Sequence, residues 1–232
     1  MMDPQISTAP AVTRDVARER TLFADVYTWM MVGLLTCGGV AWYVTQSVPL
    51  YNLIATNFKA VSLGLVFYVW VLNFTLWRFS ATAATIQFLV YAVVEGAVLG
   101  VLLPFFTGAT VHMAFLATAG TFGAMSLYGR LTNTDLSRMG SIFWMALVGL
   151  VIASVINVYT KNSGMNQVIL YGAVILYTGL TAYYTQMIRQ MSYQVDAASE
   201  MGRKIAVFGA LALMIAVISI FVSLLQLFSR RN

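Results

Sequence analysis

Charged residues are scarce in this 232-residue chain, and their scarcity is the first constraint on its class. Only 9% of the residues are Asp, Glu, Lys or Arg, whereas 60% are hydrophobic. A soluble globular domain has about 25% charged residues, because its surface faces water. We therefore predict an integral membrane protein whose surface faces lipid.

Residues that commonly carry catalysis or bind metal are also nearly missing. Cys37 is the single cysteine and His112 the single histidine, which excludes an intramolecular disulfide and disfavours a metal cluster. His112 is interpreted as an interfacial or hydrogen-bonding residue. The sequence has no HExxH, GxSxG or paired intramembrane aspartates, and its last apolar run has no lysine for a retinal Schiff base. We expect no enzyme activity, metal or cofactor, and no nucleic-acid partner, since no basic face is visible.

Apolar runs long enough to cross a membrane are abundant. About 20 apolar residues span the hydrocarbon core as a helix. Seven runs approach this length: 26–46, 60–77, 86–106, 109–129, 140–159, 166–188 and 205–228. They predict an all-α protein with a seven-helix transmembrane domain over residues 26–229, between a tail at 1–25 and a short tail at 230–232. Within this scheme Arg14–Asp25 is expected to form a short interfacial helix, and Thr107-Gly108 to join spans three and four as a tight hairpin.

The basic residues predict how the bundle is oriented. Short loops rich in Lys and Arg stay in the cytoplasm. One side would hold nine basic residues and the other four: Arg14, Arg18, Arg20, Arg78, Arg130, Arg138, Arg189, Arg203 and Lys204 against Lys59, Lys161, Arg230 and Arg231. The N-terminus is therefore predicted to be cytoplasmic, although Arg230 and Arg231 on the outer side do not fit this pattern.

Glu95 is the most informative single residue. It lies near the middle of the third run, where an ionised carboxylate costs several kcal/mol unless it is paired or hydrated. It could be a proton or cation site facing a polar cavity, or a protonated side chain that only bonds a neighbouring helix. Gly96 and Gly100 form a GxxxG motif beside it, which favours close helix packing.

Four segments resemble the Bax inhibitor-1, or transmembrane Bax inhibitor motif, family. GAMSLYGRLTNTDLSRMG at 123–140 and WMALVGLVIASVIN at 144–157 are similar to the family's fourth and fifth spans. GLTAYYTQMI at 179–188 and GALALMIAVISIFVSLLQLF at 209–228 are similar to its sixth and seventh. The likeness extends over nearly the whole chain from Val26 onward, and the bacterial inner-membrane members are the most similar.

The resemblance implies both a fold and an activity. The family's fold has seven helices, the seventh surrounded by the others. Its activity is a pH-sensitive calcium leak, attributed to two aspartates in the sixth and seventh spans that share a proton. Two adjacent carboxylates cannot easily both ionise, so such a pair titrates nearer neutral pH. Eukaryotic relatives suppress cell death, and a bacterial relative modulates a membrane-bound protease.

This chain departs from the family at both aspartate positions. Tyr184 stands at the first position and Ala216 at the second, and Ser219 replaces the asparagine that usually follows three residues later. Losing both acids avoids leaving one buried carboxylate unpaired. Any ion pathway must then depend on Glu95, Arg78 and Asp135, although the position of Asp135 favours a role in capping the fifth helix.

Two functions remain open. The first is a calcium or proton leak, or a channel-type protein, with altered or lost pH gating. The second is a non-conducting membrane protein that regulates a membrane protease or another membrane complex. Both place the chain in the bacterial inner membrane, with the lipid bilayer as its main surroundings.

Overall fold

The computed structural model describes residues 9–230, and the side chains of residues 17–230. Several parts of the two predicted tails lie outside the described residues. They are the first eight residues, the side chain of Arg14, and Arg231 with the residue that follows it.

Helices make up nearly all of the described chain, and no strand occurs within it. Six of them are long and apolar enough to cross a membrane: α1, α3, α4, α6, α7 and α8. Their bounds are α1 (Ala9–Gln46), α2 (Val48–Thr56), α3 (Phe58–Thr75), α4 (Ala81–Leu102), α5 (Gly108–Leu131), α6 (Gly140–Thr160), α7 (Ser163–Ser192) and α8 (Glu200–Ser229). Two short 3-10 helices, Leu103–Phe105 and Ser137–Met139, precede α5 and α6.

The predicted count of seven membrane-crossing helices depends on α5. This helix has 24 residues, which is long enough to cross, but its glycines and threonines lower its hydropathy. Each of the seven apolar runs nevertheless overlaps one long helix. The count of seven crossings and the cytoplasmic N-terminus stay predictions.

Polar residues mark where several helices begin. The side chains of Ser80, Thr107, Asn162 and Ser199 each accept a hydrogen bond from the backbone N–H three residues further on. Such caps pair N–H groups that the first helical turn leaves without intrahelical partners. They stop α4, α5, α7 and α8 from extending into the preceding loops.

The last helix lies at the centre of the bundle. α8 packs against α1, α4, α5 and α7, and it is the most deeply buried of the long helices. By contrast, α3 packs mainly on α4, and α6 mainly on α7. α3 and α6 are therefore peripheral helices, and α6 has no fully buried residue.

Two expectations about the chain path were wrong. Residues 14–25 do not form a separate interfacial helix, because α1 is continuous from Ala9 to Gln46 and no proline or glycine interrupts its first half after Pro10. Nor do spans three and four form a tight hairpin. The 3-10 turn at Leu103–Phe105 and extended backbone at Phe106 and Thr107 redirect the chain, so that α5 packs on α7 and α8 rather than closely on α4.

Glycines let α4 approach α1 closely. A Cβ on Gly96 would overlap the carbonyl oxygen of Cys37, and one on Gly100 would lie 2.8 Å from the carbonyl oxygen of Ala41. The GxxxG motif is thus a packing surface, and α1 and α4 form the most extensive helix pair in the described structure.

Candidate functional site

Glu95 lies at the edge of a cavity in the middle of the bundle. The cavity measures about 310 Å³ and is bounded by side chains of α3, α4, α6, α7 and α8. Glu95 is 9% exposed, and it is the single carboxylate among the described residues that line the cavity. No Lys or Arg is among those lining residues. An ionised Glu95 would therefore have no basic side chain there to balance its charge.

The packing of α4 explains why Glu95 faces this cavity. Gly96 holds α4 against α1, and the neighbouring position on a helix points about 100° away from it. Glu95 is thereby directed away from the α1 contact, toward the side of α4 where the cavity lies. Tyr91 precedes Glu95 by one helical turn, lies on the same face of α4, and lines the same cavity.

Neutral oxygen atoms supply the remaining polarity of the cavity. Tyr177 on α7 and Ser219 on α8 both line the cavity, and each carries a hydroxyl group. Asn73 on α3 lines the same cavity, and its amide nitrogen donates to the Val69 carbonyl at 2.9 Å. The site thus offers one carboxylate and several hydroxyl or amide groups. A calcium ion typically takes six to eight oxygen ligands, so these groups fit transient rather than tight binding of a cation.

A second cavity adjoins the first. It measures about 280 Å³ and is lined by α6 and α7 residues that include Gly140 and Met187. Tyr184, which stands at the family's first aspartate position, lines both cavities. Its ring lies 5.4 Å from that of Tyr183 and 6.3 Å from that of Phe208, measured between centroids. Tyr184 is therefore part of an aromatic partition between the two spaces.

The Glu95 cavity opens through the side of the bundle between α3 and α6. Val66 and Phe74 on α3 and Trp144 on α6 line the cavity, and all three side chains are exposed. Trp70 of α3 meets Trp144 of α6 with ring centroids 5.2 Å apart. This tilted pair is a direct contact between the two peripheral helices, and it borders the lateral opening.

Two predicted pathway residues lie away from this cavity. Arg78 is exposed in the turn after α3 and does not line the cavity. Asp135 is exposed in the loop between α5 and α6, where its Oδ1 accepts a hydrogen bond from the backbone N–H of Ser137 at 3.0 Å. This bond, with a smaller contribution from the charge of Arg138, lowers the pKa of Asp135. Asp135 thus orders the 3-10 turn that leads into α6 rather than capping α6 itself.

Ala216 occupies an apolar position in the core. It is buried in α8 between fully buried residues such as Leu213 and Ile220, and it does not line the Glu95 cavity. Of the two substituted aspartate positions, only Tyr184 borders that cavity. The structure brings Glu95, Tyr184 and Ser219 to one space and leaves Arg78, Asp135 and Ala216 outside it.

A polar cluster joins α1, α5 and α7 at the end of the bundle where α8 begins. Arg130 contacts Glu19 at 3.1 Å, and the Tyr193 hydroxyl donates to the other Glu19 oxygen at 3.0 Å. Arg189 donates to the Tyr193 hydroxyl at 3.1 Å and to the Arg130 carbonyl at 2.7 Å. The cluster holds three helices together at this end.

Gln186 fixes the loop between α5 and α6. Its Nε2 donates to the Thr134 carbonyl at 2.7 Å, and its Oε1 accepts from the backbone N–H of Leu136 at 2.8 Å. Both partners are backbone groups of the loop and not of another helix. Thr181 and Thr185 donate to carbonyls one turn earlier in α7 itself.

Replacing Gln186 with leucine should loosen this loop. Gln186→Leu leaves the Thr134 carbonyl and the Leu136 N–H without their partner, at about 1–3 kcal/mol for each group that remains buried. We expect the Tm of purified protein to fall by about 2–10 °C. Gln190→Leu, one turn further along α7, is the control because Gln190 is exposed and has only a 3.5 Å contact with Ser137. Equal Tm values for the two variants would contradict the role given to Gln186.

Several residues of the cavity were not identified from the sequence. Tyr91 carried a usable signal, because it lies four residues before Glu95 in one apolar run. Tyr177 lies two turns before Tyr184 on α7 and could have been assigned to the same face. The Trp70–Trp144 contact joins helices that are distant in sequence, and no local pattern predicts it.

Comparisons with known proteins identify relatives of the chain over nearly its full length. Residues 19–232 match the family described as Inhibitor of apoptosis-promoting Bax1. The inner membrane protein YbhL of Escherichia coli is 38% identical over 218 residues, which cover 92% of this chain and 93% of YbhL. An uncharacterized protein of Deinococcus radiodurans is 36% identical, with 92% of each chain covered. One from Borreliella burgdorferi is 32% identical over 94% of this chain and 96% of its own length. The chain therefore belongs to the Bax inhibitor-1 family of membrane proteins.

Proposed function

We propose that this protein is a cation leak of the bacterial inner membrane, passing calcium ions or protons through the cavity beside Glu95. The observation that carries the proposal is a single buried carboxylate facing a cavity whose described lining residues include neutral oxygen groups and no Lys or Arg. Intramembrane acids of this kind commonly mark ion pathways. The inner-membrane location extends to this chain from YbhL.

Weak coordination of a cation in this cavity suits a leak better than a site that holds the ion tightly. Conduction requires that a site bind an ion well enough to admit it and loosely enough to release it. One carboxylate with tyrosine, serine and asparagine groups provides such a site, because the ion keeps part of its hydration shell. Since Tyr184 and Ala216 replace both aspartates, we expect flux without the pH gate that the pair gives to relatives.

The test is flux into liposomes that contain purified protein. Calcium entry is followed with an enclosed calcium indicator and proton entry with an enclosed pH indicator, between about pH 6 and 8. We expect flux above that of empty liposomes, and a change on the order of ten-fold for Glu95→Gln, because the site then loses its charge. Glu200→Gln is the control, since Glu200 lies at the exposed start of α8 beside Lys204. Liposomes that stay as tight with wild-type protein as without it would refute the leak.

One observation favours a second candidate, a non-conducting regulator of a membrane protease or other membrane complex. Ala216 lies in α8 among the fully buried apolar residues Leu213, Met214 and Ile220, so this position supplies no acidic group to a pathway. In this case α6, whose side chains are largely exposed, offers a surface to another membrane protein. Crosslinking in native membranes should then recover one dominant partner, and substitutions on the outer face of α6 should remove it.

A further inference from the structure

The Glu95 cavity has the features of a binding site for an amphiphilic organic ammonium ion. We propose that such a ligand enters sideways from the lipid between α3 and α6 and places its ammonium group beside Glu95. The proposal uses the same carboxylate as the proposed leak but does not require that any ion cross the membrane.

Charge complementarity supports the ammonium group. Glu95 is nearly buried, and among the described lining residues there is neither Lys nor Arg to balance it. An unpaired carboxylate is costly in a medium of low dielectric, so a cationic ligand that pairs with it is favoured. A neutral or anionic head group would not balance the negative charge of Glu95.

The aromatic walls support the same class of ligand. Tyr91, Tyr177 and Tyr184 line the cavity together with Glu95, and so do Trp70 and Trp144, whose rings contact each other. Ring faces attract organic cations, and aromatic cages are a known way to recognise quaternary ammonium groups. A hydrated inorganic ion gains less from such walls, because its charge is shielded by water.

The shape of the cavity supports an apolar tail. The two peripheral helices, α3 and α6, contribute aliphatic residues to its lining: Val66, Val69, Leu147 and Val151. The volume of about 310 Å³ lies at the lower end of the range for small-molecule sites. A single short alkyl chain can therefore lie along this wall while the head group reaches Glu95.

Equilibrium dialysis of radiolabelled octyltrimethylammonium into lipid nanodiscs tests the proposal. After subtraction of uptake by empty nanodiscs, wild-type protein should bind the ligand at one saturable site per chain. The neutral isostere, with carbon in place of the quaternary nitrogen, should compete at least about ten-fold more weakly, because it cannot pair with the carboxylate. Equal competition by the isostere would show an apolar pocket filled by lipid tails and would overturn the proposal.

Two variants connect the binding to the cavity. Glu95→Gln should weaken binding by about ten-fold or more, whereas Glu200→Gln should not change it. Ala212→Phe fills the cavity from α8 without altering Glu95 and should remove binding, which keeps the test valid if Glu95→Gln fails to fold. Saturable binding that survives both cavity variants would also overturn the proposal.

Flux measured on the same preparations separates this inference from the leak. Octyltrimethylammonium binding without calcium or proton flux would retain the ammonium site and refute the leak. Flux that depends on Glu95, without saturable octyltrimethylammonium binding, would support the leak and refute the ammonium site.

Discussion

Gly96→Val should prevent α1 and α4 from packing and should greatly lower the yield of folded protein. A Cβ at this position overlaps the Cys37 carbonyl oxygen and lies 2.9 Å from the Cβ of Val40, before the two methyl groups of valine are added. Backbone atoms cannot rotate away as a flexible side chain can, so the helices must separate. We expect a loss of about 3 kcal/mol or more in the free energy of unfolding.

Gly39→Val is the matched control for this prediction. Gly39 belongs to α1, the same helix that Gly96 contacts, but nothing lies within 4 Å of the Cβ that a substitution would add there. The measurement is the fraction of monodisperse protein after purification, followed by thermal unfolding. If Gly96→Val and Gly39→Val gave the same yield and Tm, the close approach of α1 and α4 would be contradicted.

Substitution of Gly96 would also displace residues of the candidate site. Gly96 and Glu95 are adjacent, so the same contact that seats α4 on α1 also directs Glu95 into the cavity. A milder change at Gly100, where a Cβ would lie 2.8 Å from both the Ala41 carbonyl oxygen and the Val44 Cβ, should shift α4 less. The position of the acidic group thus depends on helix packing and not on α4 alone.

The sequence predicted the helices well because each one depends mainly on its own residues. Long apolar runs form helices in lipid, since their backbone groups have no other partners there. The start of α5 was likewise visible at Gly108, whereas the third run was extended past Pro104 to residue 106 although α4 ends at Leu102. The direction of α5 relative to α4, however, depends on the backbone angles at Phe106 and Thr107, which the residue types do not determine.

The candidate site was predicted only in part. Glu95 was identified because an acid in an apolar run is conspicuous, and the aspartate positions were located by resemblance. The cavity itself lies between residues of α3, α4, α6, α7 and α8, so it depends on how the whole bundle packs. For the same reason, Arg78 and Asp135 appeared from their charge to belong to the pathway, although the structure places them outside the cavity.

Tyr184→Ala should join the two cavities and increase cation flux by about ten-fold or more over wild-type protein. Tyr184 lines both the cavity of about 310 Å³ beside Glu95 and the neighbouring one of about 280 Å³. Truncation to alanine removes the ring and its hydroxyl from the partition. Water can then occupy the joined space and lower the barrier to a permeating ion, as the opening of a hydrophobic constriction does.

Two further variants show whether the ring itself causes the closure. Tyr184→Phe keeps the ring and its contacts with Tyr183 and Phe208, so flux should stay at the wild-type level. Tyr171→Ala removes a tyrosine from the exposed surface of the same helix and controls for the loss of aromatic area. Liposome flux is measured for all three, with Tm recorded because truncation of a packed aromatic ring costs up to about 3–5 kcal/mol.

If a folded Tyr184→Ala protein passed no more cations than wild type, the aromatic partition would not be the barrier. If Tyr184→Phe were as leaky as Tyr184→Ala, the barrier would depend on the hydroxyl group instead. An increase confined to Tyr184→Ala would mean that, where relatives have an acidic gate, this chain closes the pathway with an aromatic ring.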